Sequence, residues 1–312
     1  MGEFELIERI RSRATPGRGV VVGIGDDAAV LAPTPGHELV VTTDSLVLDR
    51  HFESDWPAAD VGHLAAQANL SDLAAMGASP RWALLALTLP AIDEAWVDAF
   101  LDGFLAAAGS AGMALVGGNL ARGPLNIGVH LMGEVPAGQA VTRCGARPGD
   151  RVAVTGTIGD AAAALSLGKA ASPELLGRLR RPRARLQAGE ILRSRARAMI
   201  DLSDGLLADL AHLLAPGQGA ELDLDALPAS PALQAALADP VDRWRLQTGG
   251  GSDYELLVVL PSNADLGALS EAGGVALTAI GRIVEGQGVA CRSATREVPA
   301  ELGRGWDHFD DD

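Results

Sequence analysis

Between residues 3 and 13 the apolar positions Phe4, Leu6, Ile7 and Ile10 recur at helical spacing, which predicts a helix. The β-branched run over 19–24 (GVVVGI) and the segment 38–43 (ELVVTT) predict two strands. Pro57 suits the first turn of a helix whose apolar stripe is Val61, Leu64, Ala65, Ala68, Ala75 and Met76, and Gly77 can end it. There follow a strand over 82–89 closed by Pro90, an amphipathic helix over 93–108, and a short strand over 114–116 ending in Gly117-Gly118. Residues 125–135 alternate, with Ile127, Val129 and Leu131 on one face and Asn126, Gly128 and His130 on the other. A turn-rich stretch from Pro136 to Asp150 divides the chain into domains of 1–137 and 148–312. The second half predicts strands over 151–155 and 254–260, and helices over 161–167, 183–194 and 205–214. Strands and helices alternate in both halves, so the class is α/β (α+β), with two layers in each domain.

Composition adds little to that frame except through charge. Of 312 residues, 48% are apolar and 4% aromatic, so Ala, Leu and Val build the core. The 40 acidic residues outnumber the 25 basic ones, a net charge of −15, which argues against an unassisted nucleic-acid partner. Clustered acids on such a chain call for counter-cations. Cys144 and Cys291 show no metal-type spacing and make no disulfide framework. The opening MGEFELIERI carries no signal-peptide pattern, and the most apolar long window, 96–118, holds Asp98, Asp102 and several glycines, unlike a membrane span. A reducing cytoplasm is the expected location.

Several motifs could carry chemistry. Gly23-Ile24-Gly25-Asp26-Asp27-Ala28 mimics a dinucleotide fingerprint, and Asp44 even falls where the ribose-binding acid would stand. Pro33, Pro35 and Gly36 leave no room for the helix that fingerprint needs, and two acids would face the pyrophosphate. Asp26-Asp27 therefore reads as a metal-holding turn or a solvated pair. Thr42-Thr43-Asp44-Ser45 sits at a predicted strand end, where ligand groups often lie. Asp72 falls on the apolar stripe of its helix, either as a paired structural acid or as a ligand, because an unpaired buried carboxylate is expensive. Asp201, Ser203 and Asp204 open a predicted helix, and capping would need one of them, not all three. Gly117-Gly118-Asn119, the turn at 156–160 and Gly249-Gly250-Gly251 could lie against phosphates, though no P-loop lysine follows any of them. If the acids Asp27, Asp44, Asp72, Asp201 and Asp204 converge, hard oxygen ligands without His or Cys suit Mg²⁺ bridging to phosphates.

The series GEFELI at Gly2, GIGDDAAVL at Gly23, TTDSLV at Thr42, NLSDLAAMGA at Asn69, RWALLALTLP at Arg81, TRCGARPGD at Thr142, VTGTIGDAAAAL at Val154, IDLSDGL at Ile200, DYELL at Asp253 and GWDHF at Gly305 covers nearly the whole chain. It resembles the thiamine-monophosphate kinase family of the aminoimidazole-ribonucleotide-synthetase-like superfamily. The resemblance implies two domains, the N-terminal one dimerising through its sheet and binding ATP and Mg²⁺, the C-terminal α/β one closing over the site. It implies transfer of the γ-phosphoryl of ATP to thiamine monophosphate by a cytoplasmic homodimer. By motif, Asp27, Asp44, Asp72, Asp201 and Asp204 would be Mg²⁺ ligands, with Thr42, Thr43 and Asn119 beside the metals. Gly118, Asn119, Arg143 and Ser203 would contact ATP, and His51, Ser252 and Trp306 the thiamine phosphate. No general base is expected, since the acceptor is already a phosphate oxygen. Asn119 stands where the family usually has Asp, and Ser252 where it usually has Glu. These departures leave open a weakly active or non-catalytic relative that binds nucleotide or thiamine phosphate. A sister-branch ATP-dependent enzyme with another acceptor is the remaining alternative.

Overall fold

The computed structural model describes residues 2–303, 305 and 306. Two compact units emerge, Met1–Leu73 with Ala78–Ala140, and Ala74–Gly77 with Val141–Asp312. The first contains α1 (Glu3–Arg13), β1 (Val20–Val22), β2 (Val30–Leu31), β3 (His37–Val47), α2 (Ala58–Ala75, its last residues in the second unit), β4 (Ser79–Leu89), α3 (Glu94–Ser110), β5 (Ala114–Arg122) and β6 (Asn126–Pro136). The helix at the N-terminus takes the bounds its periodicity predicts, and Asp93 caps α3 by accepting from the Ala95 and Trp96 N–H groups.

The main sheet of this unit runs β3-β6-β4-β5, antiparallel except for the parallel β4–β5 pair. Ile127, Val129 and Leu131 of β6 are all buried, as their alternation predicts. On α3 a stacked run of Trp96, Phe100 and Phe104, with centroids 5.3 and 6.1 Å apart, concentrates several of the chain's few aromatics. Helices α2 and α3 meet through glycine: a Cβ on Gly62 would lie 2.0 Å from the Phe100 carbonyl oxygen, and one on Gly103 1.8 Å from that of Ala59. Only glycine on each side permits that approach.

The second unit contains β7 (Arg151–Thr155), α4 (Asp160–Leu167), α5 (Pro173–Arg180), α6 (Leu186–Leu192), β8 (Ala198–Asp201), α7 (Leu206–Ala211), β9 (Gln218–Asp223), α8 (Pro231–Ala236), α9 (Pro240–Gly249), β10 (Leu256–Leu260), α10 (Leu266–Gly273), β11 (Leu277–Glu285) and β12 (Gly288–Arg292). The sheet order is β12-β9-β11-β7-β10-β8, with β12–β9 the one parallel pair among these strands. Two layers were expected here, and there are three. The uninterrupted apolar run of β10 sends Leu257 and Val259 into one cluster with Leu206, Leu210 and Trp244. It sends Leu256, Val258 and Leu260 into another with Ala188, Leu192 and Leu266. A strand apolar on both faces requires cover on both.

Candidate active site

The glycine–aspartate segment after β1 leads into β2, which pairs antiparallel with β1. No helix follows the glycines, which removes the dinucleotide-binding alternative on structural grounds. Asp26 and Asp27 are exposed, and the Asp27 N–H donates to Asp26 Oδ1 at 2.9 Å. Thr42, Thr43 and Asp44 stand within β3, not at its end, because the strand runs on to Val47 against Asn126 of β6. Thr43 and Asp44 are exposed, whereas Thr42 is half-buried and its hydroxyl donates to Asp72 Oδ2 on α2. That bond resolves the puzzle of an acid on an apolar stripe: Asp72 is half-buried and held by a β3 hydroxyl.

Gly117, Gly118 and Asn119 were expected just past a short strand, and they lie inside β5, which continues to Arg122. A Cβ on Gly118 would meet the Leu85 carbonyl oxygen at 1.9 Å, so glycine here serves the tight β4–β5 approach. Asn119 is exposed on β5, the sheet edge opposite β3, with β6 and β4 between. His51 sits in the turn after β3, where its Nδ1 accepts the Val47 N–H at 3.0 Å. A neutral ring in that bond carries its proton on Nε2. Phe52, buried next to it, anchors the turn.

In the second unit Asp201 ends β8 and is buried, while Ser203 and Asp204 are half-buried in the turn to α7. They were expected to open and cap the helix. The helix starts later, at Leu206, and its N-cap Gly205 supplies no side chain. The segment around Ser252 lies along this turn: the Ser252 N–H donates to the Ser203 carbonyl oxygen at 2.8 Å and the Tyr254 N–H to that of Leu202 at 2.9 Å. Ser252 and Tyr254 hold left-handed backbones with φ of 66° and 51°, which non-glycine residues adopt at a cost. The Trp306 N–H donates to the Asp204 carbonyl oxygen at 2.8 Å, so residue 306 meets the same turn. Ser203, Asp204, Ser252 and Trp306, scattered in sequence, are thus joined by backbone hydrogen bonds. Arg143 is exposed in the segment before β7.

Sequence reasoning missed a buried polar cluster behind Ser252. Glu255, fully buried, accepts from Thr155 at 2.7 Å, from Arg178 at 3.1 Å and from Arg185. Asp160 joins Arg178 at 3.3 Å. The Gly159 N–H, which the 156–160 turn could have offered to a phosphate, donates instead to both Asp253 carboxylate oxygens at 3.0 and 2.9 Å. Burial pushes the Asp253 carboxyl well above the usual range, and the nearby Glu255 and Asp160 act in the same direction. Asp209 on α7 was also missed. Burial first, and the neighbouring Asp204 second, push its carboxyl up to about 6. The one available signal was an acid inside the apolar run LLADLAHLL.

Among the described residues, no group of three or more His, Cys, Asp and Glu side chains stands ready-made to hold a metal ion. The residues expected as donors in the first unit, Asp27, Thr43, Asp44 and the Thr42-held Asp72, would offer hard oxygens, a chemistry that suits Mg²⁺ and disfavours softer metals.

The fold and these motifs define a class. The family models "AIR synthase related protein, N-terminal domain" and "AIR synthase related protein, C-terminal domain" match residues 25–135 and 147–293. Thiamine-monophosphate kinase of Salmonella typhimurium strain LT2 is 42% identical, with 99% of this chain and 98% of the relative aligned. Within the AIR synthase related class, the chain belongs to the thiamine-monophosphate kinase family. The crystal structure of thiamine-monophosphate kinase from Stenotrophomonas maltophilia K279a superposes with a TM-score of 0.87 at 44% identity, covering 93% of this chain and 96% of that one. AaThiL complexed with AMPPCP and TMP superposes with a TM-score of 0.76 at 31% identity, covering 99% and 97%.

Proposed function

We propose that this protein phosphorylates thiamine monophosphate to thiamine diphosphate at the expense of ATP. The observation that carries the reading is likeness over the whole length to thiamine-monophosphate kinases, including one solved with AMPPCP and TMP. Read as an ATP analogue and thiamine monophosphate, those two ligands are the donor and acceptor of one phosphoryl transfer.

The acceptor chemistry explains why the site is rich in aspartate and poor in histidine. A phosphomonoester has a second pKa near 6 and is mostly dianionic at neutral pH, so the nucleophile needs no base. What is needed is alignment of two anions and neutralisation of their charge. Asp27, Asp44, Asp72, Asp201 and Asp204 would hold Mg²⁺, with Thr42, Thr43 and Asn119 alongside. When bound, Mg²⁺ supplies the positive charge that lets the phosphates approach. Thr42 fixes one oxygen of the Asp72 carboxylate by donating to it. Gly118, Asn119, Arg143 and Ser203 would contact ATP. His51, Ser252 and Trp306 would contact thiamine monophosphate, His51 donating through its protonated Nε2. Residues 1–137 would then carry most metal and nucleotide ligands, and residues 148–312 would carry Asp201, Ser203, Asp204, Ser252 and Trp306.

The proposed assembly is a homodimer through the first unit's sheet. Its edge strand β3 leaves Leu39 and Val41 exposed at 47% and 65%, and a long apolar edge of this kind invites pairing. A cytoplasmic location is supported by two free cysteines. Among the described residues no helix is long and apolar enough to cross a membrane.

The test is incubation of the purified protein with ATP, Mg²⁺ and thiamine monophosphate, with products separated by chromatography. Thiamine diphosphate and ADP should form together. Both should vanish with chelator and fall at least 100-fold in Asp72→Asn. ATP binding with no thiamine diphosphate formed would overturn the kinase reading in favour of a binding protein or another acceptor.

A further inference from the structure

The turn from Leu202 to Gly205 holds two residues of the proposed site, yet its backbone is committed internally. The carbonyl oxygens of Leu202, Ser203 and Asp204 accept from the N–H groups of Tyr254, Ser252 and Trp306. The Leu202 N–H donates to the Glu255 carbonyl oxygen at 2.8 Å. The N–H groups of Asp204 and Gly205 donate to Asp209 Oδ2 at 3.2 and 3.1 Å. Successive N–H groups in a strand-to-helix turn commonly form a concavity for a phosphate. Here a carboxylate of the chain itself, 1% exposed, fills that place.

The choice of residue is costly if its task is only to end a helix. A serine or asparagine at the cap would satisfy α7, whose own N-cap is a glycine without a side-chain bond. Asp209 instead buries a carboxylate beside another, Asp204. What it provides, and a one-bond cap would not, is two bonds that fix two consecutive peptide planes and so fix where Ser203 and Asp204 project.

We propose that Asp209 is a positioning residue for nucleotide binding: by holding the Asp204 and Gly205 N–H groups from within, it makes the turn present the Ser203 hydroxyl to the phosphates and the Asp204 carboxylate to the Mg²⁺ it would hold, not its backbone N–H groups. This rests on the kinase reading above. It sets this turn apart from a P-loop, in which the backbone itself cradles the phosphates.

The experiment uses the full chain and compares wild type with Asp209→Ala and Asp209→Asn. KM for ATP and for thiamine monophosphate, equilibrium binding of ATP, and melting temperature are measured on each. Loss of the carboxylate should weaken ATP about tenfold, the equivalent of one charge-assisted hydrogen bond. KM for thiamine monophosphate should stay within about twofold. Asp209→Asn, whose amide oxygen still accepts, should recover most of the ATP affinity. Should the alanine variant not fold, Asp209→Ser, too short to reach the turn, takes its place with the same expectation. A fall in melting temperature with both KM values and ATP binding unchanged would overturn the proposal, as would equal weakening of both substrates or no recovery by asparagine. A wild type that neither binds ATP nor turns over would instead remove the kinase reading, and this inference with it.

Discussion

Glu134 shows how a single residue can be read only after folding. In the sequence it is one acid among many, but on β6 it is 2% exposed and receives the Thr34 N–H at 2.6 Å, the Thr34 hydroxyl at 2.7 Å and the Arg81 guanidinium at 2.8 Å. Burial alone would raise its pKa, but the Arg81 and Thr34 bonds outweigh it and hold the carboxyl down at about 2. An unfolded glutamate titrates near 4.5, so between these values the unfolded chain takes a proton that the folded chain refuses. Stability from this group is present above pH 4.5 and is lost as pH falls toward 2. Glu134→Gln should therefore cost more at pH 7 than at pH 3, by on the order of 1 kcal/mol in denaturant titrations. An equal cost at both pH values would contradict the assignment. The proposed site residues were more legible than Glu134 because family motifs mark them. The buried roles of Asp253 and Glu255 were not, although both lie in the DYELL motif, since those roles come from partners such as Gly159 and Arg185 far away in sequence; Asp209, whose partners Asp204 and Gly205 are close by, lies outside the quoted motifs.

At the scale of elements, periodicity located most helices and strands of the first unit but not their ends. The glycine pair at 117–118 read as a stop, and β5 runs through it because Gly118 fits under the Leu85 carbonyl, a contact with a distant strand. Likewise 42–45 read as a strand end, whereas β6 extends pairing as far as Val47. In the second unit β8, β9, β11, β12 and the helices α5, α8, α9 and α10 had no expected counterpart. Short elements such as α8 and β12 offer too few turns or alternations for a period to show. Nothing in local pattern announces Gly62 and Gly103 as a helix contact either. Gly103→Ala, forcing a methyl against the Ala59 carbonyl, should lower stability by about 2–3 kcal/mol, read as a reduced melting temperature. An unchanged melting temperature would mean that α2 and α3 can separate freely.

At the scale of the whole molecule, the two-domain α/β class was legible from alternating elements, and the likeness to AIR synthase related proteins agrees with it. The third layer of the second unit was not, because a short apolar run such as LLVVL gives no sign of how many layers cover it. The dimer proposed through β3 gives a further test. Leu39→Lys with Val41→Lys should convert a dimer to monomer in sedimentation at micromolar concentration, without changing the far-ultraviolet dichroism of the fold. A wild type that sediments as a monomer would remove that assembly. Direct transfer between two phosphates leaves its own trace in the path of the γ-phosphoryl group. The protein is given ATP labelled in its γ-phosphate together with Mg²⁺ and unlabelled thiamine monophosphate, and the label is followed. Label is expected in thiamine diphosphate, one mole for each mole of ADP formed. Label recovered as inorganic phosphate, with thiamine monophosphate unchanged, would contradict it.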